Sequence, residues 1–195
     1  MNYKNDIREY IETERRVLAA LDINRINEAL NLIVETGQKG KRIYVFGNGG
    51  SAATASHIQN DFNKGISLNT DLKFRFQCLN DNVATMMAIA NDIGYDEVFR
   101  LQLDGILDQG DVILAISGSG NSPNVINAVE YAKSQGNRII GFTGYGGGKL
   151  AQLSDVHLNA PVNSMQMTED IHMIFDHLMM SILYKHLCGI DHLAD

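Results

Sequence analysis

The stretch from Arg42 to Asp61, RIYVFGNGGSAATASHIQND, restricts the fold of this chain more than any other. It opens as a short apolar run, Ile43-Tyr44-Val45-Phe46, of the kind that forms a buried strand. It breaks into a glycine-rich turn, Gly47-Asn48-Gly49-Gly50-Ser51, and resumes as a helix of small residues carrying His57 and Asp61. A strand, a glycine loop and a helix N-terminus together make an anion cradle. Backbone N–H groups point outward there, the helix dipole is positive, and no side chain blocks a phosphate. His57 and Asp61 stand at i and i+4 and share one helix face. Acid–base or metal-binding groups are therefore expected a short distance beyond a phosphate site.

The same order recurs twice. Val112-Ile113-Leu114-Ala115-Ile116 is the strongest strand of the chain, apolar on both faces as central parallel strands are. It empties into Ser117-Gly118-Ser119-Gly120-Asn121-Ser122, and Pro123 takes the first position of a helix ending near Gly136. A strand over 138–142 enters a third glycine loop, 143–148, then a short helix and a strand over 155–158. Between the first two units lie a strand over 74–79, a helix over 83–90 and a helix over 98–107 that Asp96 can cap. Two helices precede the first strand. One covers 3–20 with Ile7, Tyr10, Ile11, Val17 and Leu18 as its apolar stripe; the other is capped by Asp22 or Asn24 and ends near Gly37. Their apolar faces need a partner surface, either the sheet or another subunit. A long helix over 168–187 closes the chain. Successive βα units predict a three-layer α/β fold on a parallel sheet. Right-handed crossovers bring all three loops to the carboxyl edge of its strands, where ligands bind.

Length and composition narrow the functional classes. At 195 residues, 45% of them hydrophobic, the chain reads as one domain with a substantial core. A net charge of −7 argues against nucleic acid as a partner, since such proteins carry a basic stripe. No apolar run reaches membrane-spanning length, and the polar start, MNYKNDIREYIETERR, is no signal peptide. Cys78 and Cys188, far apart in apolar surroundings, read as buried free thiols of a reducing compartment, so a cytoplasmic location is expected.

Gly47, Gly49 and Ala52 satisfy the looser dinucleotide fingerprint, but the acid required about 20 residues on is misplaced. Asp71 comes too early and Asp81 too late, which disfavours a nicotinamide dehydrogenase. Ser117, Ser119 and Ser122 put three hydroxyls at the mouth of a helix. A polar turn with Ser122 as N-cap would explain one serine; three after the best strand favour phosphate binding. No lysine follows in P-loop order. On the last helix Glu169, Asp170, His172, Asp176 and His177 lie among apolar neighbours, so part of this polar set is expected to be buried and partnered. With His57 and Asp61 it supplies either the mixed N/O shell of a divalent metal, an acid–base pair or a structural network. His157, His186 and His192 have no such company and read as structural or surface residues.

Four blocks, GNGGSAATASH (47–57), AIANDIGYDEVF (88–99), GDVILAISGSGNSPNVINAVEYAKSQG (110–136) and GFTGYGGGKLAQLSD (141–155), resemble the phosphoheptose isomerase family in the order that family has them. The resemblance implies the sugar isomerase (SIS) fold: a flavodoxin-like five-stranded parallel sheet in a single domain over 1–195. Helices within 1–40 would serve oligomerisation and 41–195 would form the α/β core. It implies a homotetramer with active sites at subunit interfaces, and conversion of sedoheptulose 7-phosphate into D-glycero-D-manno-heptose 7-phosphate.

Residue by residue, the resemblance assigns the phosphate to Ser51, Ser117, Ser119 and Ser122, beside the backbone of Gly49 and Gly50, and the sugar hydroxyls to Asn48 and Asp81. It assigns a zinc ion to His57, Asp61, Glu169 and His177, and the proton transfers of an enediol mechanism to Asp61 and His177. Four positions depart from the family pattern. Asp61 stands for a glutamate, Glu169 for a glutamine, Gly118 for a threonine, and Met165-Gln166-Met167 for Thr-x-Arg. The alternative reading is a non-catalytic SIS-domain protein that binds a phosphosugar or associates with a replication initiator.

Overall fold

The computed structural model describes residues 1–191, so His192 lies outside the described residues. Helices α1 (Lys4–Ala19) and α2 (Ile23–Gln38) lead into β1 (Ile43–Gly47) and α3 (Gly50–Asn60). The chain continues through β2 (Phe76–Cys78), α4 (Val83–Asp92), α5 (Arg100–Leu103), β3 (Val112–Ser117) and α6 (Pro123–Ser134). It closes with β4 (Arg138–Gly144), α7 (Gly148–Leu153), β5 (Val156–Ala160) and α8 (Met165–Leu183). All pairings are parallel and the strand order is β2-β1-β3-β4-β5, the flavodoxin-like order. Gly47 pairs with Ile116, so the loops after β1 and β3 leave the sheet side by side at its switch point.

Alternate strand residues feed two cores. Val45, Leu114, Ile116 and Phe142 pack with Ile33 of α2, Ile58 of α3 and Ile171 and Phe175 of α8. Tyr44, Phe46, Ile113 and Ile139 face the other way, onto Phe99, Leu103, and Val125 and Val129 of α6. A strand buried on both faces can carry no polar alternation, which is why β1 and β3 read as unbroken apolar runs. Helix α2 starts as expected, with the Asp22 carboxylate accepting from the N–H groups of Asn24 and Arg25. Helix α1 buries Val17 alone and leaves Ile7, Tyr10, Ile11 and Leu18 exposed.

Four elements differ from the sequence expectation. The helix expected over 98–107 is a short 3₁₀ turn (Tyr95–Glu97) and the single turn α5. Asp96 does not cap it, and Gly105, at φ +79°, stops it within a turn. The strand expected over 74–79 pairs only over Phe76–Cys78, because β2 is an edge with one neighbour. Helices α3 and α8 both widen into π turns at their ends, over Asp61–Ile66 and Tyr184–Cys188. The two turns meet where the Tyr184 hydroxyl donates to the Gly65 carbonyl at 2.7 Å.

His172 of α8 is fully buried, with Nε2 3.0 Å from the Thr143 carbonyl of β4. A carbonyl only accepts, so Nε2 carries the proton and donates. Burial pulls the His172 pKa down to about 4, below the ordinary 6.5. On acidification the unfolded chain takes up this proton first, so stability is lost as pH falls from 6.5 towards 4. The loss by pH 5 is about 2 kcal/mol. Urea denaturation at pH 7 and pH 5 should show this drop in the wild type. His172→Gln, which keeps a donor to Thr143 but does not titrate, should show a correspondingly smaller one.

Candidate active site

The loops after β1 and β3 and the first turn of α8 enclose a cavity of about 250 Å³ lined by Asn48, Gly49, Gly50, Ser51, Ile116, Ser117, Gly118, Ser119, Ser122, Met165 and Glu169. Two helix N-termini open onto it, those of α3 and α6, and neither has a side chain capping its first turn. Their partial positive charge faces the same space. Ser51 and Ser117 are buried, the hydroxyls of Ser117 and Ser122 lie 3.1 Å apart, and Ser119 Oγ accepts from the Asn121 N–H. No Lys or Arg lines the cavity. Amides and hydroxyls suffice for a phosphate in such a place.

Asn48 is clamped rather than free. It exchanges two side-chain hydrogen bonds with Asn124, each 2.9 Å, and accepts a third from the Tyr95 hydroxyl. Asn124 is buried, so this pair ties the first loop to the base of α6. Neither Tyr95 nor Asn124 was legible as a site residue, since an amide that binds another amide has no sequence signature. Asp81 stands apart from the cavity lining, accepting from Ser56 Oγ at 3.0 Å and from Gln59 Nε2 at 2.6 Å along α3.

Helices α3 and α8 pack side by side, and further along them a second group assembles. His57 Nε2 lies 3.1 Å from His177 Nε2, 3.4 Å from Asp61 Oδ2 and 3.9 Å from Asp176 Oδ2. Ligand atoms of His57, Asp61, Asp176 and His177 all fall within 4.8 Å of one another. The edge of a tetrahedral zinc site is about 3.4 Å, from metal–ligand bonds of about 2.0–2.2 Å. The group thus has the spacing and the donor chemistry to hold a divalent ion. Asp176 is 0% exposed and both of its carboxylate oxygens lack a hydrogen-bond partner. Burial, followed by the charge of Asp61, pushes its pKa up to about 7. A buried carboxylate in this condition needs a cation or a proton.

Of the proposed metal ligands, His57, Asp61 and His177 come together here. Glu169 does not: a Cβ on Gly50 would stand 2.2 Å from the Glu169 carboxylate, which therefore lies at the mouth of α3 in the serine-lined cavity. Eight residues, about two helical turns, separate it from His177 on α8. Asp170 receives the Tyr10 hydroxyl of α1, and His172 is spent on Thr143. His157 Nε2 meets Thr143 Oγ1 at 2.6 Å, and His186 is exposed. Gly118 is covered by Met165, whose sulfur stands 2.6 Å from where a Cβ would be.

The SIS domain family model matches residues 3–144. The phosphoheptose isomerase of Aliarcobacter butzleri is 33% identical over 193 residues, covering 93% of this chain and 96% of that one. A probable phosphoheptose isomerase of Thermoplasma acidophilum is 34% identical, with 91% and 97% covered. The solved phosphoheptose isomerase of Neisseria gonorrhoeae superposes with a TM-score of 0.84 at 29% identity, over 93% of this chain and 98% of that one. That of Francisella tularensis gives 0.86 at 26% identity, over 94% and 98%. With two loops of the parallel sheet, two helix mouths and these likenesses in agreement, the chain belongs to the phosphoheptose isomerase family of SIS-domain proteins.

Proposed function

We propose that this chain is an aldose–ketose isomerase that converts sedoheptulose 7-phosphate into D-glycero-D-manno-heptose 7-phosphate. The observation that carries the reading is the pairing of an anion-suited cavity with a His/Asp group along the same two helices. His57 lies seven residues beyond Gly50, about 10 Å along α3. That distance suits an extended sugar chain with its phosphate at one end and its carbonyl at the other.

Ser51, Ser117, Ser119 and Ser122, with the amides of Gly49 and Gly50, hold the phosphate. The sugar hydroxyls are assigned to Asn48, held in one rotamer, and to Asp81, which stands outside the serine-lined cavity beside Ser56 and Gln59 of α3. Proton transfer belongs to His177 and Asp61. His177 is the exposed imidazole of the pair, open to a substrate, and is the stronger candidate; Asp61 is buried beside it. An imidazole, with one nitrogen to accept and one to donate, both takes the proton from the carbon beside the carbonyl and returns it to the neighbouring carbon. His57 and Asp61 would hold zinc, with Asp61's basicity reduced accordingly. When bound, such an ion supplies Lewis-acid polarisation of the carbonyl oxygen. An adaptor without catalysis has no use for this group.

The exposed apolar residues of α1 support assembly into a homotetramer through the 1–40 helices. Among the described residues no helix is long and apolar enough to cross a membrane, and Cys78 and Cys188 are unpaired; a cytoplasmic site of action fits both.

Purified protein supplied with five- to seven-carbon ketose phosphates should form aldose fastest from the seven-carbon substrate; no aldose from any of them refutes the reading. Ser119→Ala should raise KM by about tenfold or more with a smaller change in kcat, as loss of a hydrogen bond to a charged group predicts. His177→Ala should lower kcat by about 10²–10⁴-fold while circular dichroism and sedimentation stay those of the wild type.

A further inference from the structure

We propose that Asp176 is a metal ligand in this chain, taking the place at the ion that the family pattern gives to residue 169. The inference rests on the isomerase reading only for the identity of the ion; its own support is geometric. Both Asp176 oxygens are buried without a hydrogen-bond partner, and Oδ2 stands 3.9 Å from His57 Nε2, inside the group formed with Asp61 and His177. Glu169 lies outside that group, against Gly50.

The departures at 61 and 169 then belong together. Asp61 is one methylene shorter than the family's glutamate, and Glu169 carries a charge where the family has an amide. A carboxylate from the next-but-one turn of α8 supplies a hard, anionic oxygen on the inner side of the group. Asp176 precedes His177 directly, so the two project about 100° apart on the helix. One faces the core and the other faces outward, as their burial records. With His57 and Asp61, Asp176 makes a three-residue N/O set of the kind that catalytic ions use, leaving a position open. His177 is then left to handle protons at the exposed rim.

The test is metal binding, read apart from turnover. The apo protein is titrated with zinc and, separately, with cobalt(II), whose visible absorption reports coordination by protein ligands. The comparison set is wild type, Asp176→Asn, Asp176→Leu and Glu169→Gln. Both Asp176 variants should lose zinc affinity by at least about tenfold and change the cobalt spectrum, whereas Glu169→Gln keeps both. Without metal, both Asp176 variants should melt at or above the wild type, because each removes a buried unpaired carboxylate; zinc should then raise the wild-type Tm more than theirs. Wild-type affinity and spectrum in Asp176→Asn, or an equal loss in Glu169→Gln, overturns the assignment. So does apo Asp176→Asn melting well below the wild type. Turnover by a wild-type enzyme whose metal binding ignores Asp176 sinks this ligand and leaves the isomerase reading standing. Zinc binding that depends on Asp176 in a protein without turnover does the reverse.

Discussion

The arrangement depends on α3 and α8 lying against each other on one face of the sheet. Ile58 on one and Ile171, Phe175 and Met179 on the other share a single core with β1, β3 and β4. At Gly65 the approach is so close that a Cβ would stand 2.7 Å from the Met180 methyl. Burial of this kind contributes about 1.5–3 kcal/mol for each fully buried Ile, Phe or Met side chain, against about 1 kcal/mol net for a typical hydrogen bond. It also fixes polar groups that would not choose one another. His57 and His177, 120 residues apart, meet at 3.1 Å because the hydrophobic faces beneath them are packed.

The sheet does the corresponding work for the serine-lined cavity. Parallel pairing of β1 with β3 sets Gly47 beside Ile116, and the two loops that follow inherit that adjacency. Two helix mouths aimed at one space give a positive field without a cation. That reconciles an anion-suited cavity with a chain whose net charge is −7.

Much of this was legible in the residues. The apolar runs of β1 and β3 and the glycine and serine loops after them led to the doubly wound sheet. The i, i+4 pair of His57 and Asp61 marked the second helix face. What the residues could not show was which members of the α8 polar set point where. His172 and Asp176, both on α8, are equally buried. One is spent on a β4 carbonyl and the other enters the His/Asp group, a division set by the rotation of α8 on the sheet. The single-turn α5 was illegible for a related reason: its apolar residues satisfy a longer helical pattern, and only the left-handed Gly105 ends it.

Helix α8 carries Met165 and Glu169 over the serine-lined cavity at one end, and Asp176 and His177 two turns further on. A helix is stiff along its axis, so these positions move as one body. Any tilt that moves Met165 and Glu169 away from the first loops also shifts the imidazole and carboxylate against α3. The serine-lined cavity and the His/Asp group are in this way geared together by one rigid helix.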